Sequence, residues 1–281
     1  MEHHVRKAIS GFTGEVFLFA KNLDTGEAYG IRQDQRVRTA STIKLPIMVA
    51  VFAAEAEGKV RRSDELVLTA DSKVSGSGVL TELSDGMRLA LRDLVRLMIV
   101  VSDNTATNLV LDAVPGDFVN QQMDKLGLGE TRSLRKILGD GAKLKPTPSG
   151  LSKAGEVPEN KRFGIGVSTP REMVMLLEKL ERGEVVSAPA SKEMIGILKR
   201  QQFKDGIGRK LLDEKVVSKS GSLDQLRSDA GIVYSDGGRI AIAITVDSMP
   251  KVDYSPDNAG LLLISRLTGY LLEGLARHGP K

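Results

Sequence analysis

Residues 41–58 read STIKLPIMVAVFAAEAEG. Leu45, Met48, Val49 and Phe52 recur at the spacing of one helical face, and Gly58 ends the stripe. Ser41 therefore stands at a helix N-terminus. Lys44 follows three residues on, so the two side chains share a face and an amine comes within reach of a hydroxyl.

Outward from this helix, strands lie at both ends of the chain and helices between. Glu15 to Ala20 reads as a strand, with Val16, Leu18 and Ala20 alternating against Glu15, Phe17 and Phe19, and Asp24-Thr25-Gly26 turns it back toward Ala28-Tyr29-Gly30 as a hairpin. Leu91, Leu94, Val95 and Met98 repeat the helical stripe. A further helix runs from Asn104 through Leu111 and stops at Pro115-Gly116, leaving Ser102-Asp103-Asn104 in the break. The stretch 139–166, rich in Gly, Pro, Ser and Lys, is longer than a plain connection and reads as a functional or mobile loop.

Thr169-Pro170-Arg171-Glu172 is a capping box with proline at the first helical position, backed by Met173, Leu176, Leu177 and Leu180. Another helix follows Ser191, with Met194, Ile197 and Leu198 on one side. Strands return at Lys215 to Lys219, Ala230 to Tyr234 and Arg239 to Val246, and an apolar helix from Leu261 to Ala276 closes the chain. The expected fold is α+β: an α/β unit over 1–40 and 202–281, whose sheet is assembled from both termini and flanked by helices, and a mostly helical unit over 41–201. The cleft between them is the expected site.

Composition removes several classes of function. The net charge of +4 is carried by scattered Lys and Arg with few aromatic residues, which gives no footprint for nucleic acid. No stretch reaches the ~18 apolar residues of a membrane span, and Met1 to Ala8 lacks the apolar core of a signal peptide. Cysteine is absent, which excludes disulfides, thiolate nucleophiles and thiolate zinc sites. His3, His4 and His278 all lie near a terminus, against an internal Ser-His-Asp triad or a His-rich metal site. No cofactor is suggested.

A serine hydroxyl attacks only when something accepts its proton, and without histidine the acceptors left are lysine and carboxylates. Lys44 meets that need if its amine is neutral, which burial and nearby cations favour. The spacing alone does not select Ser41, because Ser133-Leu134-Arg135-Lys136 and Ser248-Met249-Pro250-Lys251 repeat it, and a serine at a helix start also reads as a cap. Ser102-Asp103-Asn104 and Lys219-Ser220-Gly221 each occur once, in the order and setting such chemistry requires.

With these motifs the chain resembles class A β-lactamases, within the wider group of penicillin-binding proteins. The resemblance runs from the first hairpin to the last helix, and Ser102-Asp103-Asn104-Thr105-Ala106 and Thr169-Pro170-Arg171-Glu172-Met173 extend it beyond the bare motifs. It implies a β-lactamase/transpeptidase-like fold and a monomer acting on a small β-lactam or acyl-D-alanyl-like substrate outside the cytoplasmic membrane. Residue by residue, it implies that Ser41 attacks the carbonyl, Lys44 shuttles the proton and Ser102 passes one to the leaving nitrogen. Asn104 would bind the substrate amide, Lys219 and Ser220 its carboxylate, and the N–H groups of Ser41 and Ser222 would form the oxyanion hole. Gly221 would let substrate approach the strand edge, and Asp103 would fix a loop.

Two places depart from the family pattern. The family activates its deacylating water with a glutamate. If Thr131-Arg132-Ser133-Leu134-Arg135 marks the start of the relevant loop, that place falls near Ile137. Glu156, with Asn160, reproduces the glutamate-to-asparagine spacing further on and is the candidate base, with Glu159 behind it. The family also grips the carboxylate with an arginine where this chain has Ala230, and Arg227 is the nearest substitute. β-Lactam hydrolysis thus stands beside a D-alanyl peptidase or esterase, and beside a penicillin-acylated sensor that does not turn over.

Overall fold

The first strand of the sheet is buried on both faces, and that sets the layering. The computed structural model describes residues 1–139 and 150–276. It begins with α1 (Glu2–Ser10), β1 (Glu15–Asn22) and β2 (Ala28–Ile31). Phe17 and Phe19, which alternate with Val16, Leu18 and Ala20, are 8% and 7% exposed. A sheet with one wet face alternates along its strands, whereas one covered on both sides reads as a continuous apolar run.

Next come β3 (Val37–Arg38), a 3-10 turn over Ala40–Ile43 and α2 (Lys44–Ala56). A small hairpin of β4 (Glu65–Val67) and β5 (Arg88–Ala90) precedes α3 (Leu91–Val100), α4 (Asn104–Ala113) and α5 (Gly116–Lys125). Then follow β6 (Arg132–Ser133), the short α6 (Lys153–Glu156), β7 (Gly166–Ser168), α7 (Pro170–Glu181) and α8 (Ala188–Lys199). The chain closes with β8 (Val216–Leu223), β9 (Leu226–Ser235), β10 (Gly238–Asp247) and α9 (Ala259–Leu275).

The architecture is α+β, and the antiparallel sheet, ordered β2-β1-β10-β9-β8, draws strands from both ends of the chain. β1 pairs with β10 from Glu15 opposite Asp247 to Asn22 opposite Ile240. On one face Phe19, Val217, Ala230, Ile232 and Ala243 join the cluster of α2, α3, α4, α7 and α8. On the other, Val16, Leu18, Val233, Ile242 and Ile244 pack against Val5 of α1 and Leu263, Leu267 and Leu271 of α9.

Three elements differ from the sequence reading. α2 is buried around its whole circumference from Lys44 to Ala54, so its stripe was only part of its apolar surface. Pro115, read as a helix stop, is also the N-cap of α5, whose Val119 and Met123 are buried. In the stretch read as a loop, 140–149 lie outside the described residues, as does His278, but 150–166 carry α6, a 3-10 segment over Pro158–Phe163 and the start of β7. Among the described residues, no helix is long and apolar enough to cross a membrane.

Asn22, fully buried at the end of β1, ties the terminal pieces together. Its Nδ2 donates to Leu275 O at 2.7 Å and Gly237 O at 3.1 Å, and its Oδ1 accepts from Asp24 N at 3.0 Å. Asn22→Ala strands these backbone groups, and we expect it to lower stability by roughly 1–3 kcal/mol in urea denaturation. A loss under about 0.5 kcal/mol, the level of an ordinary surface change, would contradict this account.

Candidate active site

Ser41 is half-buried in the 3-10 turn that feeds α2. The preceding Ala40 takes a left-handed conformation, φ 46°, a strained choice for a residue with a side chain. The strain is held by β8. A Cβ at Gly221 would lie 2.8 Å from Ser41 N and 2.8 Å from Thr39 O, so the strand crosses the turn at backbone contact and only glycine fits. Gly221 is thus required by the contact between β8 and the turn that carries Ser41. Ser222, exposed on the same strand, follows directly.

Lys44 begins α2 with its side chain fully buried. Its Nζ lies 2.6 Å from Ser102 O, 2.9 Å from Asn104 Oδ1 and 3.2 Å from Ser102 Oγ. Lys219, on β8 and also fully buried, places its Nζ 2.7 Å from Ser220 O, 3.0 Å from Ser102 Oγ and 3.3 Å from Gln201 Oε1. Two lysines thus converge on one hydroxyl.

Their surroundings separate their charge states. Burial, followed by the cationic Lys219, drives the Lys44 amine well below its ordinary pKa, against a smaller pull from Asp103. Burial lowers Lys219 to about 7, with Asp229 opposing. Each amine faces three oxygens. With Lys44 neutral, its two N–H donors go to the nearer oxygens, Ser102 O and Asn104 Oδ1, and its lone pair is left toward Ser102 Oγ; an ammonium at Lys219 uses all three donors. Ser102 can then accept from Lys219 and donate to Lys44, a poised proton path.

Ser102 reaches this position by taking φ 54°, a second left-handed residue at the site. Asp103, buried beside it, satisfies the surrounding backbone. Its Oδ1 caps α4 by accepting Ala106 N at 2.8 Å, and its Oδ2 accepts Val79 N at 2.6 Å and Leu80 N at 2.9 Å. Gly78, at φ 122°, lets that loop come close, since a Cβ there would sit 2.3 Å from the Asp103 carboxyl. Asn104 splits its amide between Lys44 and Ser75 O, the latter at 3.0 Å.

Other expected residues lie apart. Glu156 is exposed at the end of α6 and lines a cleft of about 460 Å³ with Leu134, Arg135, Leu138 and Leu151, a cleft that Ser41, Lys44 and Lys219 do not line. Glu159 is exposed, and Asn160 is occupied by Arg36 and Ala154 O. Ile137 is the residue fastened beside the site's helix: its N–H donates to Asn108 Oδ1 at 2.8 Å and its carbonyl accepts from Asn108 Nδ2 at 2.9 Å, Asn108 being on α4. Arg227 turns away from a ligand role. Its Nη1 donates to Leu226 O at 2.6 Å, its Nη2 to Asp253 O, and its guanidinium covers Tyr254.

Sequence reasoning missed Gln201, Asn108 and Asp229. For Asp229 there was a signal, a carboxylate inside an apolar strand. Gln201 and Asn108 carried none, because their partners are distant in sequence. Among the described residues, no cluster of three or more His, Asp or Glu is arranged to hold a metal ion.

The chain matches the pattern of the Beta-lactamase enzyme family over residues 1–273. A solved β-lactamase from Sphaerobacter thermophilus superposes with a TM-score of 0.83 at 32% identity, over 99% of this chain and 98% of that one. PBP-A superposes with a TM-score of 0.78 at 27% identity, over 97% and 94%. A leucine-to-glutamate variant of PBP-A, solved as its acyl-enzyme complex with penicillin G, gives 0.79 at 25%, again over 97% and 94%. The β-lactamase regulatory protein BlaB of Streptomyces cacaoi is 26% identical over 90% of each chain.

Asp103→Ala leaves three backbone N–H groups without an acceptor, those of Leu80 and Ala106 buried and that of Val79 part-buried. We expect a stability loss of roughly 3 kcal/mol or more, read as a lowered Tm. An unchanged Tm would mean that Asp103 does not hold the 74–80 loop.

Proposed function

The chain belongs to the Beta-lactamase enzyme family, and on that premise we propose that it is a serine hydrolase that opens β-lactam rings through an acyl-enzyme on Ser41. The observation that carries the reading is the convergence of Lys44 and Lys219 on the Ser102 hydroxyl, beside a serine held at the head of α2. In this reading Ser41 Oγ bonds to the lactam carbonyl carbon and its proton passes to the neutral Lys44. The carbonyl oxygen gathers charge facing the N–H groups of Ser41 and Ser222. The C–N bond then breaks as Ser102 delivers its proton to the ring nitrogen and recovers one from Lys44.

Asn104 meets the substrate's amide side chain, and Lys219 with Ser220 its carboxylate. Water then splits the ester and restores Ser41. A chain with this substrate works where β-lactams and acyl-D-alanyl peptides are met, outside the cytoplasmic membrane, and we include that in the proposal.

A second reading is favoured by the release step. Ile137, where the sequence alignment puts the family's water-activating glutamate, is an aliphatic residue pinned to α4 by Asn108, and Glu156 lines a separate cleft. PBP-A, whose leucine-to-glutamate variant was solved as an acyl-enzyme complex with penicillin G, fits this second reading. On it, Ser41 is acylated readily and released slowly.

Intact-protein mass spectrometry over a time course with penicillin G separates the readings. An adduct that forms and decays with product release supports hydrolysis, and one that persists supports the penicillin-binding reading. Absence of any adduct, or an adduct that survives Ser41→Ala, would refute both. Ile137→Glu should speed decay of the adduct at least tenfold if a carboxylate there reaches the acyl group. Because Lys219 must be cationic to meet a carboxylate, and burial lowers it to about 7, the second-order acylation constant should fall as pH rises past about 7. A constant that stays flat to pH 9 would remove Lys219 from carboxylate recognition.

A further inference from the structure

Behind β8, polar groups that the reaction above does not use are buried together. β8 is an edge strand, so the outward N–H of Ser220 lacks a strand partner. Gln201, 2% exposed just after α8, supplies one: its Oε1 accepts from Ser220 N at 2.8 Å, from Ser220 Oγ at 3.0 Å and from Lys219 Nζ at 3.3 Å. Its Nε2 donates to Ser218 Oγ at 3.0 Å and Phe203 O at 3.2 Å. One carbonyl oxygen therefore sets the aim of both groups expected to meet the substrate's acid.

Asp229 lies opposite Ser220 in the β8–β9 register and is 1% exposed. Its Oδ2 accepts Ile207 N at 2.9 Å, and Gly206 packs where a Cβ would stand 2.5 Å from that oxygen. Its Oδ1 is buried with no well-formed hydrogen bond, although the Ser218 hydroxyl stands close enough to favour the ionised form. A carboxylate shut away from water is costly unless a cation repays it. The cations in its field are Lys219 and Lys204, and Lys219 in turn faces Lys44, which also senses Asp103.

We propose that Gln201, held by Ser218 and Phe203, is a positioning residue for carboxylate recognition, which aims Lys219 and Ser220 at the substrate's acid. The inference rests on the acyl-serine reading for what Lys219 recognises. The positioning itself stands on the contacts above. Burial raises the Asp229 carboxyl to about 6 and lowers Lys219 to about 7.

The test is the pH profile of the acylation constant with penicillin G, which bears a carboxylate, beside an uncharged ester substrate. Gln201→Glu places an anion where the Gln201 oxygen lies 3.3 Å from Lys219 Nζ, so the alkaline limb with penicillin G should move up by about one pH unit. Gln201→Leu should cost about tenfold with penicillin G and markedly less with the ester. Simple structural damage would lower all rates without moving the limb. An alkaline limb unchanged in Gln201→Glu, or an equal loss with both substrates in Gln201→Leu, would overturn the proposal.

A readout without substrate keeps this separate from the functional reading. Lysine Cε resonances of the isotopically labelled protein, with Lys219 assigned through Lys219→Met, report its titration directly. An upward shift of the Lys219 midpoint in Gln201→Glu supports the positioning contact even if no probe acylates Ser41, and an unmoved midpoint refutes it.

Discussion

A strand and a turn meet at backbone distance in this protein, in the room left by the missing side chain of Gly221. Around that meeting the rest is fixed. The turn holds Ala40 in a left-handed conformation, the helix start that follows sets Lys44 inward, and the same strand delivers Lys219 from the opposite side. Two surfaces far apart in the chain are thereby registered to within a hydrogen bond. Left-handed Ala40 and Ser102 cost of order 1–3 kcal/mol each, and both sit where tertiary packing over-determines them.

The second constraint is electrostatic. Burying one lysine is expensive; burying two that share a hydroxyl is tolerable only if they do not both carry full charge. The division comes from their charged surroundings. Lys44 has the cationic Lys219 beside it, and Lys219 has a buried carboxylate on the adjacent strand. The asymmetry is what gives the proton path a direction.

How much was legible in the sequence follows from the range of each interaction. Ser41 and Lys44, Ser102 to Asn104, and Lys219 to Gly221 are short runs whose internal spacing carries their meaning, and the structure brings these runs to one place. The both-ended sheet was readable for a similar reason, because turn residues and apolar runs are local. What was hidden was tertiary. No sequence pattern announces that helices will cover the Phe19 face of β1 as well as the Val16 face. Glu156 had the right spacing to Asn160, yet spacing cannot say which wall of a loop a carboxylate lines. Gln201 has no motif at all, and its role exists only because β8 ends the sheet beside it.

The pairing of β1 with β10 and the reach of Asn22 to Leu275, 253 positions away, mean that the sheet cannot close until almost the whole chain exists. Contacts of such long range make assembly slow relative to the helices in the middle. On the ribosome, Ser41 emerges long before the strand that presses on its turn or the lysine that shares its proton path. The nucleophile is born without partners, and the chain reaches its C-terminal strands before it has a site with which to react.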